Sequence, residues 1–119
     1  MKKNKISKNW INKQKRDIYV RQSKLEGYRS RAVYKLQEIQ TKFKVINNGM
    51  SIVDLGAAPG SWSEFISRKF KNIKLVAIDL KELDKIENVT HIKGDFTDEI
   101  TQKKIEKNFD EKIDLVVSD

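Results

Sequence analysis

The sequence predicts an α/β protein built on a doubly wound parallel sheet with a basic N-terminal helical arm, and three observations carry that reading. Short apolar runs alternate with stretches of helical periodicity, the first run leads straight into a small-residue turn, and the charge is unevenly spread along the chain. At 119 residues the chain is long enough for one small domain.

Residues 1–35 hold 12 basic and 2 acidic side chains, whereas residues 36–119 hold 13 and 15, so a slightly acidic body follows a strongly basic segment. In that segment Lys2, Lys3, Lys5, Lys8, Lys13, Lys15, Arg16, Arg21 and Lys24 are interleaved with Trp10 and Tyr19. The mixture suits a polyanion, because cations displace counterions from phosphates while aromatic rings can stack on bases. A solvated tail is the plainer alternative. A membrane-surface helix needs more large apolar residues on one face than are present.

The remaining elements follow in order. Ser30 is placed to cap a helix running to about residue 44, with Ala32, Leu36, Ile39 and Phe43 spaced as one buried stripe. Asn47-Asn48-Gly49 breaks it. Ser51 to Leu55 reads as a strand, followed by the turn Gly56-Ala57-Ala58-Pro59-Gly60. Ser61 and Glu64 have the spacing of a capping box, and Trp62, Phe65, Ile66 and Phe70 form the apolar face of the next helix. Lys74 to Asp79 and Val89 to Lys93 are the second and third strands. A weaker helix spans about Asp98 to Phe109 with Ile100, Ile105 and Phe109 to bury, and Ile113 to Ser118 is the fourth strand.

Composition narrows the chemistry. The absence of cysteine excludes a disulfide framework, a Cys-ligated metal and a thiol nucleophile. The lone histidine, His91, excludes a His-rich metal cage, and no metal is expected. No apolar run reaches the roughly 18 residues of a membrane span. The opening MKKNKISKNW has positive charge without the apolar stretch of a secretory signal. The expectation is a soluble, cytoplasmic protein that does not engage membranes.

The turn after the first strand is the strongest chemical signal. It lies where a doubly wound sheet binds nucleotide-like ligands, and the following helix N-terminus suits a carboxylate or phosphate. Asp79, at the end of the second strand, lies at the distance from the turn at which an acid accepts ribose hydroxyls. A dinucleotide fingerprint wants a second glycine where Ala58 stands, and Pro59 has no N–H to donate. A ligand with a ribose but no phosphate fits better, and S-adenosylmethionine is the candidate, with its amino-acid end near Gly60 and its ribose on Asp79.

Asp54 to Gly60 followed by Ser61-Trp62-Ser63 resembles the cofactor loop of the FtsJ/RrmJ-type ribosomal RNA 2′-O-methyltransferases. Gly27 to Ile39 (GYRSRAVYKLQEI) resembles that family's N-terminal signature, and Gly94-Asp95-Phe96-Thr97-Asp98 and Val117-Ser118-Asp119 match in order and spacing. The resemblance implies a Rossmann-like, S-adenosylmethionine-dependent methyltransferase fold of which this chain holds the part up to the fourth strand. Residues 1–28 then form an RNA-binding arm, and residues 29–119 the first part of the catalytic domain. The implied activity is methyl transfer to a ribose 2′-hydroxyl, in bacteria usually a uridine of 23S rRNA in the large ribosomal subunit.

By the same resemblance Gly60, Trp62, Asp79, Asp95 and Asp119 contact the cofactor, and Lys35 and Asp119 are catalytic. A second lysine and a glutamate of the catalytic group are expected beyond residue 119. This chain alone is therefore expected to be inactive, with an apolar fourth-strand edge, and the full-length protein to be a monomer. Two other classes fit parts of the sequence: an NAD-binding oxidoreductase domain, which the fold and Asp79 allow, and a non-catalytic RNA-binding module, which the arm allows.

Overall fold

The structure, a computed structural model, describes residues 2–119, with side chains from residue 7 onward. The side chains of Lys2, Lys3 and Lys5 lie outside the described residues. In chain order the elements are α1 (Lys2–Leu25), α2 (Val33–Phe43), β1 (Ser51–Leu55), α3 (Ser61–Lys69), β2 (Lys74–Asp79), β3 (Val89–Lys93), α4 (Glu99–Lys107) and β4 (Leu115–Ser118). The strands form one sheet in the order β3-β2-β1-β4, with every neighbouring pair parallel. The chain winds outward from β1 through β2 to β3 and then returns past β1 to β4. Its direction therefore reverses between β1 and β4, the topological switch point at which such sheets bind ligands.

Strand alternation divides the core into two layers. Ile52, Leu75 and Val117 pack with Val33 and Leu36 of α2 and with Trp62, Phe65 and Ile66 of α3 on one face. Val53, Val76 and Ile78 pack with Ile105 of α4 on the other, with Phe109 against them. A parallel sheet needs cover on both faces, and α4 leaves Val116 of β4 exposed on its side. No helix among the described residues is long and apolar enough to cross a membrane.

Several local expectations give way to tertiary contacts. Ser30 does not cap α2: Ala32 precedes the helix, and the Ser30 and Ser61 hydroxyls hydrogen-bond to each other at 2.8 Å. The buried stripe of α2 keeps Leu36 and the partly buried Ala32 and Ile39, adds Val33, and leaves Phe43 exposed. The Trp62 indole N–H donates to the Ala32 carbonyl at 2.8 Å. Ser61 and Glu64 form no capping box: α3 starts at Ser61 after Gly60, with no side chain capping it. Glu64 is buried and instead accepts the Arg29 amide N–H at 2.8 Å, with Arg29 Nε at 3.6 Å and Arg68 Nη2 at 3.3 Å. A buried carboxylate needs cationic or N–H partners, and these outcompete a local cap.

In α4 Thr101 rather than Ile100 faces inward. Strand β4 is two residues shorter than its apolar run, and just before it Asp114 meets Ser51 twice, its N–H donating to the Ser51 carbonyl and its carboxylate accepting the Ser51 N–H, both at 2.8 Å.

Helix α1 lies largely outside this body. Its 24 residues span about 36 Å at 1.5 Å each. The molecule measures 56 × 29 × 24 Å with a radius of gyration of 16.6 Å, against about 13.5 Å for a compact chain of this length. Among the described side chains it is anchored at its C-terminal end: Ser23 is buried, the Tyr19 ring stacks on Tyr34 with centroids 5.2 Å apart, and Tyr28 just beyond lies under the Arg68 guanidinium. Glu64 gathers the residues that follow α1 onto α3. Replacing it by alanine leaves two guanidinium groups and the Arg29 amide without that acceptor. Urea denaturation should show Glu64→Ala destabilised by about 1–3 kcal/mol, and a loss below a few tenths would mean that the cluster does not hold this junction.

Candidate functional site

Pairing register brings the functional side chains to one place. Leu55, the last residue of β1, is level with Ile78 of β2 and Ser118 of β4. The next residue in each strand direction is Gly56, Asp79 and Asp119, so two acids flank the start of the turn. Asp54 lies one residue below, buried beneath it, and its Oδ2 accepts the Ser63 hydroxyl at 2.7 Å. Burial pushes the Asp54 pKa up to about 6 from 3.8; the Ser63 hydrogen bond opposes this, and the Asp119 and Asp79 carboxylates add to it. The sequence does not single out Asp54 as a site residue, because there it reads as an ordinary strand acid.

The turn is held rigid by its own backbone donors. The Ala57 N–H donates to the Ile78 carbonyl at 3.0 Å and the Ala58 N–H to Asp79 Oδ2 at 2.9 Å, while the Ala58-Pro59 bond is cis. Asp79 Oδ1 takes the Lys81 N–H at 2.8 Å. Three consecutive turn residues thus present no free N–H: two are used inside the protein and the third is proline. Gly60 follows with φ 113°, a conformation that side chains rarely adopt, and a Cβ there would fall 2.9 Å from Ile86 Cδ1 and 3.1 Å from Arg29 Nη1. Arg29 fastens this side by donating to the carbonyls of Pro59, Asp84 and Lys85 at 2.8–3.0 Å.

Around the open side of the turn a small pocket of about 130 Å³ is lined by Asp54, the 56–59 backbone, Trp62 and Asp119. It shares Ala32 and Asp119 with a larger cavity of about 520 Å³ between α1, α2 and the sheet end. Lys35 stands at their boundary, its Nζ 3.0 Å from Asp119 Oδ1, an ion pair that joins α2 to the end of β4 across 84 residues. Behind it, burial and then the nearby Glu26 carboxylate, by its charge and by hydrogen bonding, push the Tyr34 hydroxyl up to about 12.

The structure therefore brings Lys35, Trp62 and Asp119 together and sets Asp79 beside the turn. Trp62 contributes ring surface, since its N–H is used on Ala32. Gly60 is flanked by the ends of the Ile86 and Arg29 side chains, and its backbone conformation is what favours glycine there. Asp95 stands apart after β3, outside the residues lining either pocket, with its Oδ1 accepting the Thr97 N–H and hydroxyl at 2.9 and 2.6 Å. Those two bonds hold its carboxyl below the usual range.

A family model described as FtsJ-like methyltransferase matches residues 28–119. The ribosomal RNA large subunit methyltransferase E of Pelagibacter ubique is 64% identical over 119 residues, covering all of this chain and 59% of that protein. The protein of the same name from Pseudomonas fluorescens is 47% identical over 121 residues, covering all of this chain and 58% of its own length. The crystal structure of a ribosomal RNA methyltransferase from Plasmodium falciparum superposes with a TM-score of 0.70 at 35% identity, over 77% of this chain and 56% of that one. The chain thus spans somewhat under three-fifths of the length of these relatives.

Buried Asp54 makes the apo protein's stability pH-dependent. Its pKa is raised on folding, so its contribution is present below about pH 4, the unfolded value, and is lost as pH rises through about 6. Asp54→Asn keeps an acceptor for Ser63 without the charge. Urea titrations should find the variant gaining about 2–3 kcal/mol relative to wild type between pH 4 and 8, and a pH-independent difference would show that Asp54 is not charged at a cost.

Proposed function

Since the chain belongs to the FtsJ-like methyltransferase family, we propose that the protein transfers a methyl group from S-adenosylmethionine to a ribose 2′-hydroxyl of RNA. The sequence resemblance and the names of the relatives together favour a uridine of 23S rRNA in the large ribosomal subunit as the acceptor. The observation that carries the reaction is the Lys35–Asp119 pair, 3.0 Å apart at the boundary of two pockets, one formed by the turn and the other open toward the basic arm.

The residues at the turn fit that methyl donor. An uncapped α3 N-terminus suits its carboxylate. Three carboxylates, Asp54, Asp79 and Asp119, favour a cationic ligand and oppose a pyrophosphate. With no free N–H over residues 57–59, the turn has little to offer an NAD phosphate, which weighs against an oxidoreductase. Asp79 keeps unused lone pairs on both oxygens after binding Ala58 and Lys81, and ribose hydroxyls can donate to them. When bound, S-adenosylmethionine supplies an electrophilic methyl group on a sulfonium sulfur.

The chain's own residues then act on the acceptor. A ribose hydroxyl is a poor nucleophile at neutral pH, and negative charge grows on its oxygen as the proton leaves. The Lys35 ammonium stabilises that charge, Asp119 holds the ammonium in place, and the released proton passes to solvent. Trp62 and residues 56–59 form the wall that keeps the reacting groups in line. Residues 1–28 serve as the RNA-binding arm, with Lys8, Lys13, Lys15, Arg16 and Arg21 all along α1. Asp95 is a candidate for the adenine end, reachable only by a ligand extending past β2 toward β3.

Two experiments on the full-length protein test the proposal. With methyl-labelled S-adenosylmethionine and large-subunit rRNA, nucleoside analysis should find the label on a ribose 2′-oxygen. Lys35→Ala should slow transfer about 100- to 1,000-fold while changing RNA affinity only a few-fold. An unchanged rate would remove Lys35 from the reaction.

The arm is tested by charge removal rather than deletion, because Tyr19 and Ser23 pack against the body. Replacing Lys8, Lys13, Lys15 and Arg16 by glutamine should weaken RNA binding and flatten its salt dependence by about 0.7 in slope for each phosphate that is no longer neutralised. Affinity for S-adenosylmethionine should stay constant. An unaltered salt slope would return the arm to the role of a solvated tail.

A further inference from the structure

We infer that the larger cavity is the seat of the acceptor nucleotide's base, stacked on the ring of Tyr19, a residue of α1 rather than of the catalytic domain. The inference rests on the reading of the chain as an RNA methyltransferase and adds to it a stacking site that positions the acceptor nucleotide.

Four observations converge. First, the cavity of about 520 Å³ has the size of a small-molecule site and is continuous with the Lys35–Asp119 pair, so a ribose at that pair leaves its base beside the cavity. Second, an aromatic wall is already assembled. The Tyr34 ring backs Tyr19 at a centroid distance of 5.2 Å and 29° between planes, while Tyr19 keeps 43% of its surface exposed. A ring supported on one side and open on the other is a ready stacking platform, since every nucleobase has a π-face.

Third, charge around the cavity favours a nucleotide over an apolar ligand. Arg31, exposed at its wall, is placed to meet a phosphate, while Lys35 stays with Asp119 at the reacting hydroxyl. Glu38, the one further acid there beside Asp119, is already paired with Lys42 at 3.0 Å. Fourth, the Tyr34 hydroxyl oxygen is buried, so Tyr34 backs Tyr19 with its ring and does not present an exposed polar end.

This arrangement gives α1 a second task. Its exposed cations attract the RNA, and its anchored end supplies the surface on which the target base rests. The base would be held by stacking, which tolerates any base, so nucleotide choice is left to other contacts. Trp10 lies more than two turns toward the N-terminus on the exposed part of α1 and takes no part in this site.

The test is a two-by-two cycle on the full-length protein, using a short oligouridylate and an abasic ribose-phosphate oligomer of the same length as probes. Wild type should bind the intact oligomer about ten-fold or more tightly than the abasic one. Tyr19→Ala should bind both with nearly equal affinity, and Tyr19→Phe should restore the wild-type discrimination. Tyr19→Ala could also loosen α1, but such an effect would weaken both probes by one common factor. Undiminished discrimination in Tyr19→Ala, whatever its overall affinity, would overturn the proposal. Methyl transfer by wild type to rRNA is measured alongside: its absence, with base discrimination still lost in Tyr19→Ala, would sink the methyltransferase reading and leave the stacking site supported.

Discussion

Parallel pairing of β1 with a neighbour on each side is the constraint on which the rest of the molecule depends. Because β2 and β4 both run in the direction of β1, all three strands end together. Their next residues, Gly56, Asp79 and Asp119, must then share one edge of the sheet. Antiparallel pairing, or a register slip of one residue, would turn these side chains to the other face and separate them. The apolar alternation of Ile52, Val53, Leu75, Val76 and Ile78, all buried, makes such a slip expensive. The hydrophobic core thus secures the position of the acids, which contribute little stability themselves.

That edge is electrostatically unusual. Asp54, Asp79 and Asp119 sit close enough that burial and mutual repulsion raise the Asp54 pKa to about 6. A cluster of this kind costs free energy in the empty protein, and a cationic ligand relieves it. The turn above it has committed its backbone donors to Ile78 and Asp79, which stiffens the loop and leaves a phosphate little to bind. Preference for a positively charged, phosphate-free ligand therefore comes from two independent features of one turn. Across the pocket, Lys35 reaches Asp119 from α2, and α2 is held in place by the Trp62 indole on the Ala32 carbonyl.

Much of this was legible in the sequence because it is encoded locally. The runs at 51–55, 74–79 and 89–93 are short segments rich in β-branched and aliphatic residues with turn residues near their ends, and they occupy those ranges in the structure. Fold class followed from their alternation with helical segments. Local rules failed where a distant residue offered a better partner: Ser30 bonds Ser61 instead of capping α2, and Glu64 binds Arg29 and Arg68 instead of closing a capping box. The bonds from Ser30 and Arg29 tie the 29–31 segment to α3, across a separation no spacing rule reports. At the site, resemblance pointed to Lys35 and Asp119, and the structure adds their direct contact. Asp54 and the Tyr19–Tyr34 wall escaped notice, because a strand acid and two tyrosines on different helices carry no signal until the fold brings them together.

Three carboxylates and a turn without free N–H groups should select a cationic, phosphate-free nucleoside ligand. Isothermal titration of the full-length protein with S-adenosylmethionine and, separately, with NAD at neutral pH measures that selection. Saturable binding of S-adenosylmethionine is expected, with at least 100-fold weaker binding of NAD, a gap of about 2.7 kcal/mol. Comparable affinity for the two ligands, or tighter binding of NAD, would contradict that selection.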